Sequence, residues 1–133
     1  MINEIRKVLS LIKDVEKYRY ETLKNKDINN LITKITEMIN MGYYNFISEF
    51  RCGIIIFCRD ANDIYFHIEH IRKALYSIRR KQPNRCETVD EYMPRHKAVK
   101  YMIKELDALI STVKCLCNKC GLNYDELKEE ASL

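Results

Sequence analysis

The longest unbroken helical pattern in the chain runs from His96 to Gly121. At about 100° per residue, eight of its apolar residues fall within a stripe about 100° wide, which is typical of a core-facing helix. This stripe consists of Val99, Met102, Ile103, Leu106, Ile110, Val113, Cys117 and Cys120. The opposite side carries Lys97, Lys100, Tyr101, Lys104, Ser111, Cys115 and Lys119. The pattern predicts a helix with one buried face and one basic face, ended by a left-handed Gly121 with Leu122 folded back onto the last turn.

Other segments repeat apolar residues at intervals of three and four. A first helix is predicted from Ile2 to about Leu23, and a second from a cap at Asp27 to an end at Gly42. Another is predicted from a cap at Asp60 or Asn62 to about Arg80. Asn123 and Glu126 form a capping box that opens a short last helix, Tyr124 to about Glu130.

The segment from Tyr43 to Arg59 is ambiguous, because its apolar run from Ile54 to Phe57 suits a buried strand as well as a buried helix. A lone strand would have no partner to pair with, so we favour a helix. This segment is expected to be the most buried part of the chain.

Two boundaries are expected between the last two long helices. The stretch from Lys81 to Arg85 contains Pro83 and is predicted to be a loop. Thr88 and Glu91 have capping-box spacing and predict a short turn. Pro94 fits the first turn of the long helix that follows.

The composition is typical of a helical protein, because the 133 residues include only three glycines and two prolines, the residues that favour tight turns. The length suits a single domain, residues 1–133. We therefore predict an all-α protein, a compact bundle of about five helices plus a short C-terminal helix. No signal segment and no apolar run of about 18 residues is present, so we expect a cytoplasmic protein without membrane contact.

Six cysteines without a secretion signal indicate reduced thiols. Cys115, Cys117 and Cys120 resemble a zinc-ligand spacing, but on a helix Cys115 and Cys117 point about 200° apart and cannot share an ion. Cys117 and Cys120 could bind zinc only with ligands from elsewhere, for which the candidates are Cys52, Cys58, Cys86 and His96. We favour the alternative that both are core residues, and we expect no metal and no cofactor.

Two further groups could carry chemistry. Cys115 lies among lysines that would favour its thiolate, but it has no assignable base. His67 and His70 lie three residues apart and could share a metal, although hydrogen-bonded structural histidines are the more usual finding beside an apolar stripe.

Charge is the strongest signal. From Arg72 to Lys119 there are twelve basic and five acidic residues, an excess of seven, whereas the whole chain carries only +4. The basic residues and interleaved tyrosines form two helical stripes that flank one loop. They are Arg72, Tyr76, Arg79 and Arg80 on one helix, and Lys97, Lys100, Tyr101 and Lys104 on the next. Such groups can bind phosphates and stack bases, or dock on an acidic protein surface.

The residues from Glu105 to Ile110, with Cys120 to Glu126, resemble the last helix of MazG-type nucleotide pyrophosphohydrolases, an all-α family. The resemblance implies magnesium held by E-x-x-E and E-x-x-D carboxylates. Here Lys104 stands three residues before Asp107, and the preceding helix offers only Glu69 and Asp63. This departure implies a related fold without the metal site.

We therefore expect a small non-enzymatic binding protein that acts by stoichiometric association through its basic face, with nucleic acid or a nucleic-acid-handling protein as partner. Ile, Lys, Asn and Tyr supply 50 of the 133 residues, a bias of AT-rich codons that fits a phage or mobile-element inhibitor. The alternatives are a helical enzyme with an unrecognised site or a degenerate pyrophosphohydrolase. A structural module, a homodimer formed through Tyr43 to Phe57, is a further alternative.

Overall fold

The computed structural model describes residues 2–49, 54–79 and 94–131, with side chains for 4–40, 59–79 and 94–131. Within these ranges the chain forms five α-helices, one 3-10 helix and no strand, which confirms the predicted all-α class. The helices are α1 (Ile2–Glu16), α2 (Asn25–Glu49), α3 (Ile54–Arg79), α4 (Arg95–Lys119) and α5 (Tyr124–Glu130), and the 3-10 helix is Lys17–Arg19. The loop and turn predicted for 81–91 lie outside the described residues.

Three helix boundaries in the first half of the chain differ from their predicted positions. α2 continues through Gly42 to Glu49, because a glycine costs a helix only about 1 kcal/mol, which tertiary packing can exceed. Asp27 lies in the first turn of α2 and does not precede it. The first helix also ends earlier than expected, at Glu16, where the backbone tightens into the 3-10 helix.

The ambiguous segment is helical wherever it is described. Ile54–Phe57 opens α3 as helix, which confirms the choice of helix over strand. α3 then passes Asp60 and Asn62 without a break, so the boundary predicted there is wrong. Of the residues predicted as a separate third helix, 43–49 belong to α2 and 54–59 to α3. The side chains of residues 43–58 lie outside the described part, and both the homodimer alternative and the expected burial depend on them.

The core is built around the antiparallel pair α3 and α4. α2 packs against α3, while α1 contacts α2, α4 and α5. The direction of the pair follows from its contacts: Asp60, near the start of α3, accepts hydrogen bonds from Lys119 at the end of α4. Every helix with described side chains contributes fully buried or nearly buried residues, among them Leu9, Ile12, Ile28, Ile35, Ile64, Ile68, Leu75, Leu109 and Val113.

α4 is rotated slightly from its predicted orientation. Met102, Leu106, Val113 and Cys117 are buried as predicted, but Ala98, Leu109 and Leu116 are also fully buried. Ile103 and Ile110, assigned to the buried stripe, are only half-buried. The buried face therefore turns toward α3, because α3 covers more of α4 than α1 does.

The end of α4 follows the prediction closely. Gly121 has a φ of 70°, and its N–H donates to the carbonyl of Asn118 while the N–H of Leu122 donates to that of Cys117, at 3.2 and 2.8 Å. This is a Schellman motif, which requires a left-handed residue at this position. Asn123 then caps α5, since its side-chain oxygen accepts from the N–H of Glu126 at 3.1 Å.

Candidate functional site: a lysine-aromatic face on α3 and α4

The basic side of α4 is exposed as its sequence predicted. Lys97, Lys100 and Lys104 are exposed, and none of them forms a hydrogen bond or an ion pair with the described residues. They are carried outward because the helical period turns Met102 and Leu106 into the core. Their charges are therefore available to an external partner.

An exposed aromatic side chain lies on the neighbouring helix. Phe66 of α3 is 58% exposed, and its ring centroid lies 4.1 Å from that of His70. The His70 ring is in turn 5.9 Å from the ring of Tyr101 on α4. Because His70 lies between them, Phe66 and Tyr101 belong to one surface that spans both helices.

We call this surface the lysine-aromatic face. Lys73, exposed and three residues after His70, extends it on α3. Asp63, one turn before Phe66, places a negative charge at the other end, so the positive charge is concentrated toward the start of α4. The face consists of Phe66, His70 and Lys73 of α3 with Lys97, Lys100, Tyr101 and Lys104 of α4.

A buried carboxylate lies beneath this face. Glu105 of α4 is 9% exposed, and its Oε2 lies 2.6 Å from Nδ1 of His67. Its Oε1 is 3.3 Å from Nδ1 of His70, a contact whose geometry is too poor for a good hydrogen bond. Burial raises the pKa of Glu105, but the interactions with His67 and His70 together outweigh it and leave the pKa below its ordinary value.

The hydrogen-bonded reading of the two histidines is confirmed for His67. Both rings contact the same carboxylate from one turn apart on α3, so Glu105 fixes where α4 lies along α3. Among the described residues no group of three histidine, cysteine or acidic side chains is arranged to hold a metal ion. The zinc alternative for Cys117 and Cys120 therefore has no ligand set within this part of the chain.

The other predicted basic stripe lies elsewhere on α3. Arg72 donates to Glu69 at 2.7 Å and to Thr36 of α2 at 3.5 Å. Arg79 donates to Asn29 of α2 at 3.2 Å.

Arg79 also lies over the ring of Tyr76, 4.9 Å from its centroid. Arg72 follows His70 by two residues, about 200° around the helix. This stripe therefore faces the junction with α2 and is not continuous with the lysines of α4. Arg80 lies outside the described residues.

The cysteines divide as helical geometry predicted. Cys115 is exposed, Cys117 is buried and Cys120 is half-buried. Burial raises the pKa of both the Cys117 and the Cys120 thiol, which disfavours the thiolate needed for a nucleophile or a metal ligand. Lys119, one of the lysines near Cys115, is held by Asp60 at 2.9 Å.

The carboxylates that the pyrophosphohydrolase resemblance singled out do not converge. Glu105 points to the histidines, and Asp107 pairs with Arg19. Glu69 pairs with Arg72, while Asp63 is exposed. Glu105, Asp107 and Glu69 are thus engaged in three separate contacts.

Comparisons of the chain with protein-family models, with curated proteins and with solved structures give no match. None of the described helices combines the length and hydropathy needed to cross a membrane. Support for a function therefore comes from the lysine-aromatic face.

Sequence reasoning missed Phe66, Lys73 and Glu105. A signal was present for Phe66, because a phenylalanine about 160° from the Ile68 side of α3 must face solvent. Glu105 gave no such signal, since its burial depends on the histidines that α3 supplies.

Proposed function

We propose that the protein is a non-enzymatic binding protein whose lysine-aromatic face contacts single-stranded nucleic acid. The observation that carries the proposal is the set Lys97, Lys100 and Lys104, which form no hydrogen bond or ion pair with the described residues, beside the exposed ring of Phe66. Lysines attract the phosphate backbone, and an exposed aromatic ring stacks bases regardless of their sequence. Binding of this kind is stoichiometric and needs no catalytic group.

A single strand fits this face better than a protein partner does. Protein interfaces concentrate aromatic and arginine residues in an apolar centre and are poor in lysine. Here the only large apolar side chain that is exposed on the face is Phe66, and lysines surround it. An acidic surface on a nucleic-acid-handling protein is the second candidate, favoured by the same lysines.

Fluorescence anisotropy with labelled DNA and RNA strands at rising salt tests the proposal. Each phosphate contact adds about −0.7 to the slope of log K against log salt for a single strand. The variant Lys100→Ala/Lys104→Ala should weaken binding and flatten this slope by about 1.4. Lys24→Ala/Lys26→Ala, which removes two exposed lysines near the start of α2, should leave the slope unchanged.

Phe66→Ala separates stacking from charge. Loss of one stacked base should cost about 1–3 kcal/mol of binding free energy without a change in the salt slope. If the folded wild-type protein binds neither DNA nor RNA at low salt, the nucleic-acid proposal is wrong. The lysine-aromatic face should then be tested against acidic proteins.

A further inference from the structure

A cleft of about 630 Å³ lies between the end of α1, the 3-10 helix, α4 and α5. It shares no residue with the lysine-aromatic face. A second cavity of about 500 Å³ adjoins it and shares Lys114, Tyr124 and Asp125 with it. The size of the cleft is that of sites that bind small molecules.

The walls of the cleft are positively charged. Five basic and two acidic side chains line it, the acids being Glu16 and Asp125. Glu16 forms an ion pair with Lys128 at 2.7 Å, and Arg19 forms one with Asp107. The basic residues are Lys13, Lys17, Arg19, Lys114 and Lys128.

Three of these charges have no partner in an ion pair, although Tyr18, Asp14 and Asp27 favour the charged form of Lys17. Lys13, Lys17 and Lys114 form no ion pair with any residue in the described ranges. Like charges brought together around one cavity repel each other, and a bound anion would relieve this repulsion. The cleft is therefore suited to a ligand with more than one negative charge.

Tyr124 organises one wall. The ammonium groups of Lys114 and Lys128 lie 5.2 and 5.9 Å from the centroid of its ring, an attraction that keeps both at the cleft. Tyr124 is 9% exposed, and its hydroxyl is buried without a hydrogen-bond partner in the described structure. Burial raises the pKa of Tyr124 to about 12, so the hydroxyl stays protonated.

Tyr20 lies at the rim of the cleft and is 91% exposed. Together with Phe66 it makes up the large hydrophobic side chains that are exposed among the described residues. A flat ring next to the cluster of lysines offers a stacking surface for the organic part of an anionic ligand.

We propose that this cleft binds a phosphate monoester of an aromatic compound. Lys13, Lys17 and Lys114 hold the phosphate, and Tyr20 stacks on the aromatic ring. Two sources have this chemistry, a simple aryl phosphate and a nucleoside monophosphate. The site is separate from the proposed nucleic-acid face and does not depend on it.

Isothermal titration calorimetry with four probes tests the proposal: phenyl phosphate, adenosine 5′-monophosphate, inorganic phosphate and benzyl alcohol. At least one ester should bind at one site per chain and more tightly than inorganic phosphate, whereas the alcohol should not bind. Comparison of the two esters distinguishes the two sources.

Variants locate the binding in the cleft. Lys13→Ala/Lys17→Ala should weaken ester binding by about tenfold or more, which is the loss of about 1.4 kcal/mol. Tyr20→Ala should weaken the ester and leave binding of inorganic phosphate unchanged. Lys100→Ala/Lys104→Ala, on the lysine-aromatic face, is the matched control and should bind the ester like the wild type.

Three results would overturn the proposal. They are no ester binding at millimolar concentration by folded wild-type protein, inorganic phosphate binding as tightly as both esters, and ester binding unaffected by Lys13→Ala/Lys17→Ala. None of them bears on the oligonucleotide test, because that test depends on lysines outside the cleft. Circular dichroism of each variant establishes that it is folded.

Discussion

Glu105 is a buried carboxylate in the contact between the two central helices. Burying a charge is costly, and here the interactions with His67 and His70 offset that cost. Since both histidines belong to α3 and the carboxylate to α4, any sliding of one helix along the other would leave the charge unpaired. The cluster therefore specifies the register of α3 and α4 beneath the lysine-aromatic face.

The depressed pKa of Glu105 makes its contribution to stability depend on pH. A carboxyl whose pKa is lower in the folded than in the unfolded chain stabilises the fold above its ordinary pKa of 4.5. That stability is lost as the pH falls through the lower, folded value. The wild type should therefore exceed Glu105→Gln in unfolding free energy by on the order of 1 kcal/mol at pH 6.

Urea unfolding of both proteins from pH 6 down to pH 3 measures this difference. The gap should close at the acid end of the range. A gap that stays constant down to pH 3 would mean that ionised Glu105 contributes nothing to stability.

Neighbouring residues on α4 should respond very differently to truncation. Leu109 is fully buried, whereas Ile110 is only half-buried. Leu109→Ala should lower the unfolding free energy by about 2–5 kcal/mol because it leaves a cavity in the core. Ile110→Ala should cost less than half as much, and equal losses in chemical denaturation would contradict the rotated orientation of α4.

Among the helices, glycine has opposite effects on stability at a helix end and in a helix interior. Gly121 has a left-handed backbone and open space around the position of a Cβ atom, so only the backbone conformation requires glycine there. Gly42 lies within the helical run of α2, where glycine is a weak residue.

The same substitution should therefore change stability in opposite directions. Gly121→Ala should destabilise the protein by about 1–2 kcal/mol because it forces a left-handed alanine. Gly42→Ala should stabilise it by about 0.5–1 kcal/mol. Thermal and urea unfolding of the two variants check the signs, and a loss at Gly42 would contradict a continuous α2.

At the scale of the whole molecule, α5 returns to pack on α1 and α4. Leu127 and Tyr124 bury their side chains in the common core, and Glu130 forms an exposed ion pair with Arg6 at 2.9 Å. Exposed ion pairs contribute little because water and salt screen them. Apolar burial therefore holds α5 in place, and it also shapes the cleft beside Tyr124.

Truncating each contact separately tests this. Leu127→Ala should cost about 2 kcal/mol or more, while Glu130→Ala should cost less than about 0.5 kcal/mol. Equilibrium unfolding of the two variants gives the comparison. If removing the ion pair is the more damaging change, burial is not what fixes α5.

Features that depend on local physics could be predicted from the sequence alone. The helical class, the end of α4 at Gly121, the cap at Asn123 and the opposite burial of Cys115 and Cys117 all follow from backbone preferences and the helical period. The outward direction of Lys97, Lys100 and Lys104 follows in the same way. These features do not depend on which residues pack against the helix.

Features that depend on neighbours distant in sequence became apparent only in the folded structure. α2 continues past Gly42 and α3 past Asp60, although both positions carry local signals for a helix boundary. Contacts between helices place Arg72 and Arg79 at the junction of α3 with α2. They also bury Glu105 against two histidines. The cleft is the clearest case, because Lys13 and Lys17 lie roughly 100 residues before Lys114 and Lys128 in the chain and meet them only when α4 and α5 pack against α1.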